Sequence, residues 1–222
     1  MKRLVLMVEG KGDKKAAKSL TARLLERFYP DWSSFFFIDD GLERVGDVCS
    51  LLSPKEEIKL IRHVGRLGKR SDIGGVLVLL DGDAEFFWKP SDEGNVKEVF
   101  CPMTTARYMS DLVKKHTLAG QNFSFAVVFV NQEFESWFLA GHPKFAADYA
   151  DKNLEEHPRN AKGEIKKYDS HYNEAINQYD YIADLDLDLL QRRMRSFRRF
   201  KHALEEIYQS IQTGQCICSP SQ

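Results

Sequence analysis

A chain of 222 residues with 43% hydrophobic and 29% charged residues has the composition of an ordinary globular protein, long enough for one core or one domain with an appendage. Its formal net charge of −1 provides no global field for a polyanion or a membrane surface, so any such partner must meet a local patch. No apolar stretch approaches a membrane span, Leu4 to Val8 is too short for a signal-peptide core, and Cys49, Cys101, Cys216 and Cys218 lack paired metal-ligand spacing; the expectation is a cytoplasmic protein with reduced thiols and no membrane partner.

In chain order, Leu4-Val5-Leu6-Met7-Val8 is a continuous apolar run, as in a strand covered on both faces, and Glu9 follows at once. Gly10-Lys11-Gly12-Asp13 then opens a helix whose apolar residues Ala16, Leu20, Leu24 and Phe28 are spaced by four. Neither Gly-x-x-x-x-Gly-Lys-Ser/Thr nor Gly-x-Gly-x-x-Gly is present, which excludes a P-loop and a dinucleotide fingerprint. Asp13 sits in or just before the first helical turn, where it joins a site or merely favours the helix dipole. Phe35 to Ile38 reads as a second strand running into an Asp39-Asp40-Gly41 turn. Ser53-Pro54-x-Glu56 starts a helix with Ile58, Ile61, Val64 and Leu67 inward, ended by Gly68 to Ser71.

Val76 to Leu80 is the central strand, and it runs straight into Asp81-Gly82-Asp83. Two acids at the carboxyl end of a buried strand are placed for metal or phosphate chemistry, although Asp and Gly are also ordinary turn residues. Phe86 to Asn95 reads as a polar loop beside that site, a possible lid, and Thr104 to His116 as a helix with Tyr108, Met109, Leu112 and Val113 on its apolar face. Phe123 to Val130 is the fourth strand, followed by Glu133 and Glu135, of which one is expected to enter the site. Strands alternating with helices imply a four-stranded parallel sheet flanked by helices. With the second strand outside the first and the third and fourth on its other side, Glu9 and Asp81 share one crevice.

Beyond Ala140 the chain turns polar and helical, with segments at Tyr149 to Glu156, Tyr172 to Tyr181 and Leu185 to Ile211. The last carries Leu189, Met194, Phe197, Phe200 and Leu204 on one face and Arg192, Arg193, Arg195, Arg198, Arg199 and Lys201 on the others. That basic cluster either contacts nucleic acid or pairs with nearby Asp184, Asp186 and Asp188. The organisation expected is an α/β domain over 1–140, a helical C-terminal extension packed on it over 141–212, and a flexible tail over 213–222.

Glu9-Gly10 after the first strand, Asp81-x-Asp83 after the third and the four-stranded parallel arrangement resemble a Toprim domain, the metal-binding module of topoisomerases, primases and old-type nucleases. Glu133-Phe134-Glu135-Ser136-Trp137-Phe138-Leu139-Ala140, Ala161-Lys162-Gly163, Tyr172 and Ser196-Phe197-Arg198-Arg199-Phe200 look like an uncharacterised Toprim-like family of bacterial proteins. Members are often encoded beside an SMC-like or ABC-type ATPase, in a setting suggestive of phage defence. The resemblance runs from Leu4 to about Leu204 and departs at Asp13, where relatives usually carry Glu.

The resemblance implies metal ligands among Glu9, Asp13, Asp81, Asp83, Glu133 and Glu135, and Lys162 as a charge on the substrate phosphate. On charge alone, acids gathered at one rim repel and raise each other's pKa unless a cation compensates them. Mg²⁺, or Mn²⁺ in its place, takes such oxygen ligands and suits phosphate substrates. The expectation is therefore a metal-dependent phosphodiester hydrolase acting on DNA or RNA, the effector of an ATPase-coupled defence system, with no nucleophilic tyrosine beside the acids. Two readings stand beside it: a noncatalytic metal-holding partner of the ATPase, and a small-molecule phosphohydrolase with Asp81 as nucleophile.

Overall fold

The computed structural model describes residues 1–220 apart from 42, 54–57, 92–93 and 157–159. Its first half runs β1 (Lys2–Val8), α1 (Lys11–Phe28), β2 (Phe36–Ile38), β3 (Glu43–Arg44), α2 (Val48–Leu51), α3 (Lys59–Leu67) and β4 (Ile73–Asp81), then β5 (Phe86–Ser91), β6 (Gly94–Val99), α4 (Pro102–His116) and β7 (Ser124–Val130). The remainder is α5 (Glu135–Gly141), α6 (Ala161–Tyr168), α7 (Glu174–Ala183), α8 (Leu187–Arg193), α9 (Arg195–Thr213) and β8 (Cys218–Ser219).

The main sheet has the order β2-β1-β4-β7-β8, with β3 paired to the end of β1, and every pairing in it is parallel. The expected placement of the second strand outside the first, with the third and fourth beyond, is the one observed. Four strands become six because β3 and β8, two residues each, are too short to leave a sequence pattern. β8 also corrects the expectation of a flexible tail: Cys218 and Ser219 pair with Phe125 and Ala126.

Continuous apolar runs arise because both sheet faces are covered. Leu4, Leu6, Val8, Leu77, Leu79, Ala126, Val128 and Val130 turn to one face, beneath α1, α5 and α9. Val5, Met7, Val76, Val78, Leu80, Phe125, Val127 and Phe129 turn to the other, beneath α3 and α4. In α1, Ala16, Leu20 and Leu24 are fully buried as their spacing requires. In α3 the buried residues are Leu60, Val64 and Leu67, while Ile58 packs partly buried against the same cluster and Ile61 is half-buried; the Pro54 start assigned to this helix lies outside the described residues.

Three segments differ from expectation. Phe86 to Asn95 is no loop: β5 and β6 form an antiparallel hairpin in which Phe87, 3% exposed, packs on Tyr108 at 5.5 Å. Tyr149 to Glu156 forms turns rather than a helix, because the Arg193 guanidinium takes the carbonyls of Ala140, Ala146 and Tyr149 and the Glu155 side chain leaves to bond Ser196 N. The last helix breaks at Met194, whose extended backbone (φ −111°, ψ 117°) separates α8 from α9.

Across the boundary expected near Ala140, one apolar cluster runs from Leu4 through Trp137 to Ile207. Helix α9 lies directly on β7 and β4, and Gly75 makes room for it: a Cβ there would stand 2.5 Å from Ile207 Cγ2. Gly75→Ala should therefore overpack this contact and cost about 1–3 kcal/mol, read as a lower midpoint in chemical denaturation with secondary structure retained.

Candidate active site at the sheet rim

Parallel pairing of Val8 with Leu79, and of Asp81 with Val130, brings the carboxyl ends of β1, β4 and β7 side by side. Glu9, Asp81 and the chain after Val130 therefore share one rim. Asp81 N donates to Glu9 Oε2 at 3.2 Å, so the Glu9 carboxylate takes the place of a further strand rung. Asp81 Oδ1 in turn accepts from Phe134 N at 2.9 Å, and Asp13 Oδ2 accepts from Gly10 N at 2.7 Å at the start of α1. Gly82 permits the tight exit from β4: its N–H donates to Gln132 O at 2.8 Å, and a Cβ would fall 2.3 Å from Val130 O. Gln132 itself sits at φ 66°, a left-handed backbone in the loop that carries Glu133 and Glu135.

These residues surround a cleft of about 350 Å³ lined by Glu9, Gly10, Asp13, Arg44, Gly46, Asp47, Ser50, Asp81, Glu135, Lys162 and Glu174. The structure thus gathers Glu9, Asp13, Asp81, Glu135 and Lys162 of the expected set. Asp83 stands just outside the lining but near enough to repel Glu9 and Asp81. Of the two glutamates after β7, Glu135 faces the cleft, while Glu133 Oε2 accepts from Lys162 N at 2.9 Å and so fixes the first turn of α6.

Burial dominates the electrostatics. It pushes Glu9 up to about 7, aided by Asp83, Asp47 and Asp13 and opposed by the Asp81 amide. Asp81, partly open to the cleft, is driven well above the carboxylate range by burial and then by Asp13, Glu9, Glu135 and Asp83. Asp13 and Glu135 are also raised by burial, against hydrogen bonds from Gly10 N and Gln178 for the first, and against Lys162, Tyr172 and Gln178 for the second. For Lys162 burial works against the charge, yet its ion pair with Glu174 and the nearby Glu135 and Glu133 hold its pKa above the usual value. Lys162 is the internal counterion of the cluster.

Four further contributors join the site, and of these only Tyr172 carried a signal in the sequence, as part of the resemblance. Asp47 caps α2 through Ser50 N at 2.6 Å, an ordinary cap until β3 swings it beside Glu9. Glu174 and Gln178, on one face of α7, arrive from far along the chain; Gln178 donates to Glu135 Oε1 at 3.2 Å. Tyr172 does stand beside the acids, and its hydroxyl donates to Glu135 Oε1 at 3.0 Å. It is 5% exposed and its pKa is pushed far up, first by burial and then by Glu135, which suits an anchor and not a nucleophile.

The donor set is all carboxylate oxygen, the chemistry Mg²⁺ or Mn²⁺ takes. One oxygen each of Glu9 and Asp81 is held by a backbone amide; the other has no hydrogen-bond donor among the described residues. Among the described residues, however, no three His, Cys, Asp or Glu side chains stand in a ready ligand cage. The residues fit a divalent ion by chemistry and charge, with side-chain adjustment still to be made around Lys162.

The basic cluster on the last helices divides. Arg193 is consumed by three carbonyls, Arg195 pairs with Glu155 at 3.1 Å, Arg198 donates to Gln191 O and Arg192 O, and Arg199 is partly buried. Arg192, Arg195 and Arg198 remain exposed near the end of β7, where Asn131 Nδ2 reaches Glu155 O. The aspartates expected to neutralise this cluster lie elsewhere: Asp186 caps α8 and Asp188 pairs with Arg27. All four cysteines are free thiols, and among the described residues no helix is long and apolar enough to cross a membrane.

A family model described as a domain of unknown function, DUF4276, matches residues 8–205. No curated protein and no solved structure matches.

The raised carboxyls set a pH dependence. The folded protein keeps the Glu9 proton up to about 7 while the unfolded chain releases it near 4.5. Between those values the folded state binds more protons, so stability falls as pH rises through the window. Without divalent cations, the melting temperature should decline from pH 4.5 to 7, and Glu9→Gln should flatten that slope; an unchanged slope in thermal melts of the variant would refute the charge assignment.

Proposed function

The chain belongs to the family of the domain of unknown function DUF4276, and we propose that it is a divalent-cation-dependent phosphodiester hydrolase acting on nucleic acid. The observation that carries this reading is the pairing of Glu9 with Asp81 at adjacent strand ends, both raised and opening on one cleft. Buried carboxylates in mutual repulsion demand a cation, and their position outside the carboxyl ends of a parallel sheet is where α/β proteins bind ligands.

Glu9 and Asp81 would hold Mg²⁺ or Mn²⁺, with Asp13 and Asp83 as further oxygen donors. When bound, the ion supplies Lewis-acid stabilisation of charge on phosphorus and lowers the pKa of a bound water. The protein's own residues do the rest. The Gly10, Asp81 and Phe134 amides fix the carboxylates, and Glu133 fixes the backbone of Lys162. The Lys162 ammonium is a point charge that can move from Glu174 to a phosphate oxygen. Exposed Arg192, Arg195 and Arg198 offer a polyanion a second, sequence-independent foothold. Tyr172 and Gln178 hold Glu135 against Lys162 and keep that buried carboxyl from collapsing into the cleft.

The Toprim-like resemblance adds an SMC-like or ABC-type ATPase as partner and a phage-defence setting. One observation favours the alternative of a noncatalytic metal-holding subunit: Lys162 and Glu174 already form an ion pair inside the cleft, which leaves the acids without a ready cage. A latent enzyme waiting for its partner has the same appearance.

The two readings separate in one experiment. Asp81→Asn keeps an acceptor for Phe134 N and removes a repelled charge. It should hold or raise stability by about 1 kcal/mol while cutting Mg²⁺-dependent cleavage of single- and double-stranded DNA and RNA by at least about 100-fold. Cleavage, assayed alone and with an SMC-like or ABC-type ATPase of the proposed kind, that is equal for wild type and variant would leave the metal-holding subunit as the function.

A further inference from the structure

The hairpin β5–β6 leaves the site directly, since Phe86 follows Asp83 by three residues. Its two faces differ. Phe87 and Lys89 turn toward Tyr108 of α4. On the opposite face Trp88 pairs across the strands with Lys97, and Phe86 with Val99. Phe86 and Trp88 meet edge to face with ring centres 5.8 Å apart, and both are partly exposed. The Lys97 ammonium stands 4.3 Å from the Phe86 ring centre and 5.4 Å from that of Trp88, and no carboxylate pairs with it among the described residues. Val99 beside them is 83% exposed.

This aromatic and cationic face adjoins the acids. The Cys49 thiol donates to Phe86 O at 3.0 Å and lies within electrostatic reach of Asp83, Glu9 and Lys97 together. A phosphate held at the rim would therefore place its neighbouring nucleotide against the hairpin.

Resting on the hydrolase reading above, we propose that the Phe86–Trp88–Lys97 face is a stacking platform for unpaired bases, which makes single-stranded nucleic acid the substrate class. Interleaved aromatics and a free cation are what single strands use: every base has a π-face to stack, and the cation meets the backbone without reading sequence. In a duplex those faces are stacked on one another and closed to a side chain. The platform thus selects strands, ends or gaps over intact duplex.

The test is binding of the full chain to oligo-dT and to an oligo-dA·dT duplex of equal length, with Ca²⁺ in place of Mg²⁺ to withhold turnover. Wild type should bind the single strand more tightly and show quenched tryptophan emission from Trp88, because Trp137 is fully buried and Trp32 packs on Phe36 at the opposite end of β1 from Glu9. Trp88→Ala should weaken single-strand binding about tenfold and leave the duplex alone. Trp88→Phe should keep the affinity and lose the quench, which separates stacking from misfolding. Equal affinity of Trp88→Ala and wild type for oligo-dT overturns the platform. So does a change of oligomeric state in Trp88→Ala with nucleic-acid affinity intact, which would assign the face to a second copy of the chain. Absence of binding to either probe overturns the platform and leaves the hydrolase to the cleavage assay above; a Trp88-dependent single-strand complex that Mg²⁺ never cleaves, with or without the ATPase, supports the platform and overturns only the hydrolase.

Discussion

The register between β1 and β4 is the constraint on which the site depends. Pairing Val8 with Leu79 leaves Glu9 beside the last rung of its neighbour, and the amide of Asp81 takes the Glu9 carboxylate as its acceptor. A backbone donor at a strand end needs a partner, and here an acid serves. The same substitution recurs around the rim, at Phe134 N with Asp81, at Gly10 N with Asp13 and at Lys162 N with Glu133. Each acid is oriented by an uncharged amide. Amides fix direction but neutralise little, so burial and then mutual repulsion leave Glu9, Asp13 and Asp81 raised.

That arrangement works against the fold's own stability. Like charges drawn out of water cost several kcal/mol when left unpaired, and within the cleft lining Lys162 and Arg44 are the cations set against Glu9, Asp13, Asp47, Asp81, Glu135 and Glu174. Arg44 is spent partly on a backbone oxygen, donating to Glu9 O at 3.4 Å. Lys162 is therefore the main internal counterion of the rim, and on the metal-binding reading proposed above a cation would share the cleft with it. Strain collects at the same place, with Gln132 held at a positive φ so that its carbonyl can meet Gly82 N.

Much of this was legible in the sequence because it follows from periodicity. Continuous apolar runs identified β1, β4 and β7, alternation with helices implied a parallel sheet, and the requirement that Glu9 and Asp81 share a cation selected the strand order. What stayed hidden was short or long-range. β3 and β8 have no period to read. The hairpin reads as a polar loop because its alternation is broken by Lys89 and Pro90, and one of its faces is open to solvent. The arginine cluster looked like a single patch, yet Arg193 turns inward to satisfy carbonyls of a turn-rich segment that itself read as helix. Asp47 and Glu174 are unremarkable where they stand in the chain and become site residues only through folding.

The segment after Ala140 does two jobs with one set of contacts, which is why it cannot be an appendage. Helix α9 covers the sheet face that carries Leu77 and Ala126, while α6 and α7 supply Lys162, Glu174 and Gln178 to the cleft. Both are tied to the first half through α5, whose Trp137 donates to Ser196 at 3.0 Å and whose Glu135 is gripped by Tyr172 and Gln178. The acids thus come mainly from the first half and their counterion from the second. Loosening the second half would bare an apolar sheet face and strip the carboxylates of Lys162 together, so the charge state of the rim and the packing of the core are coupled. On the metal-binding reading proposed above, a cation that steadied the rim would steady the fold by the same stroke.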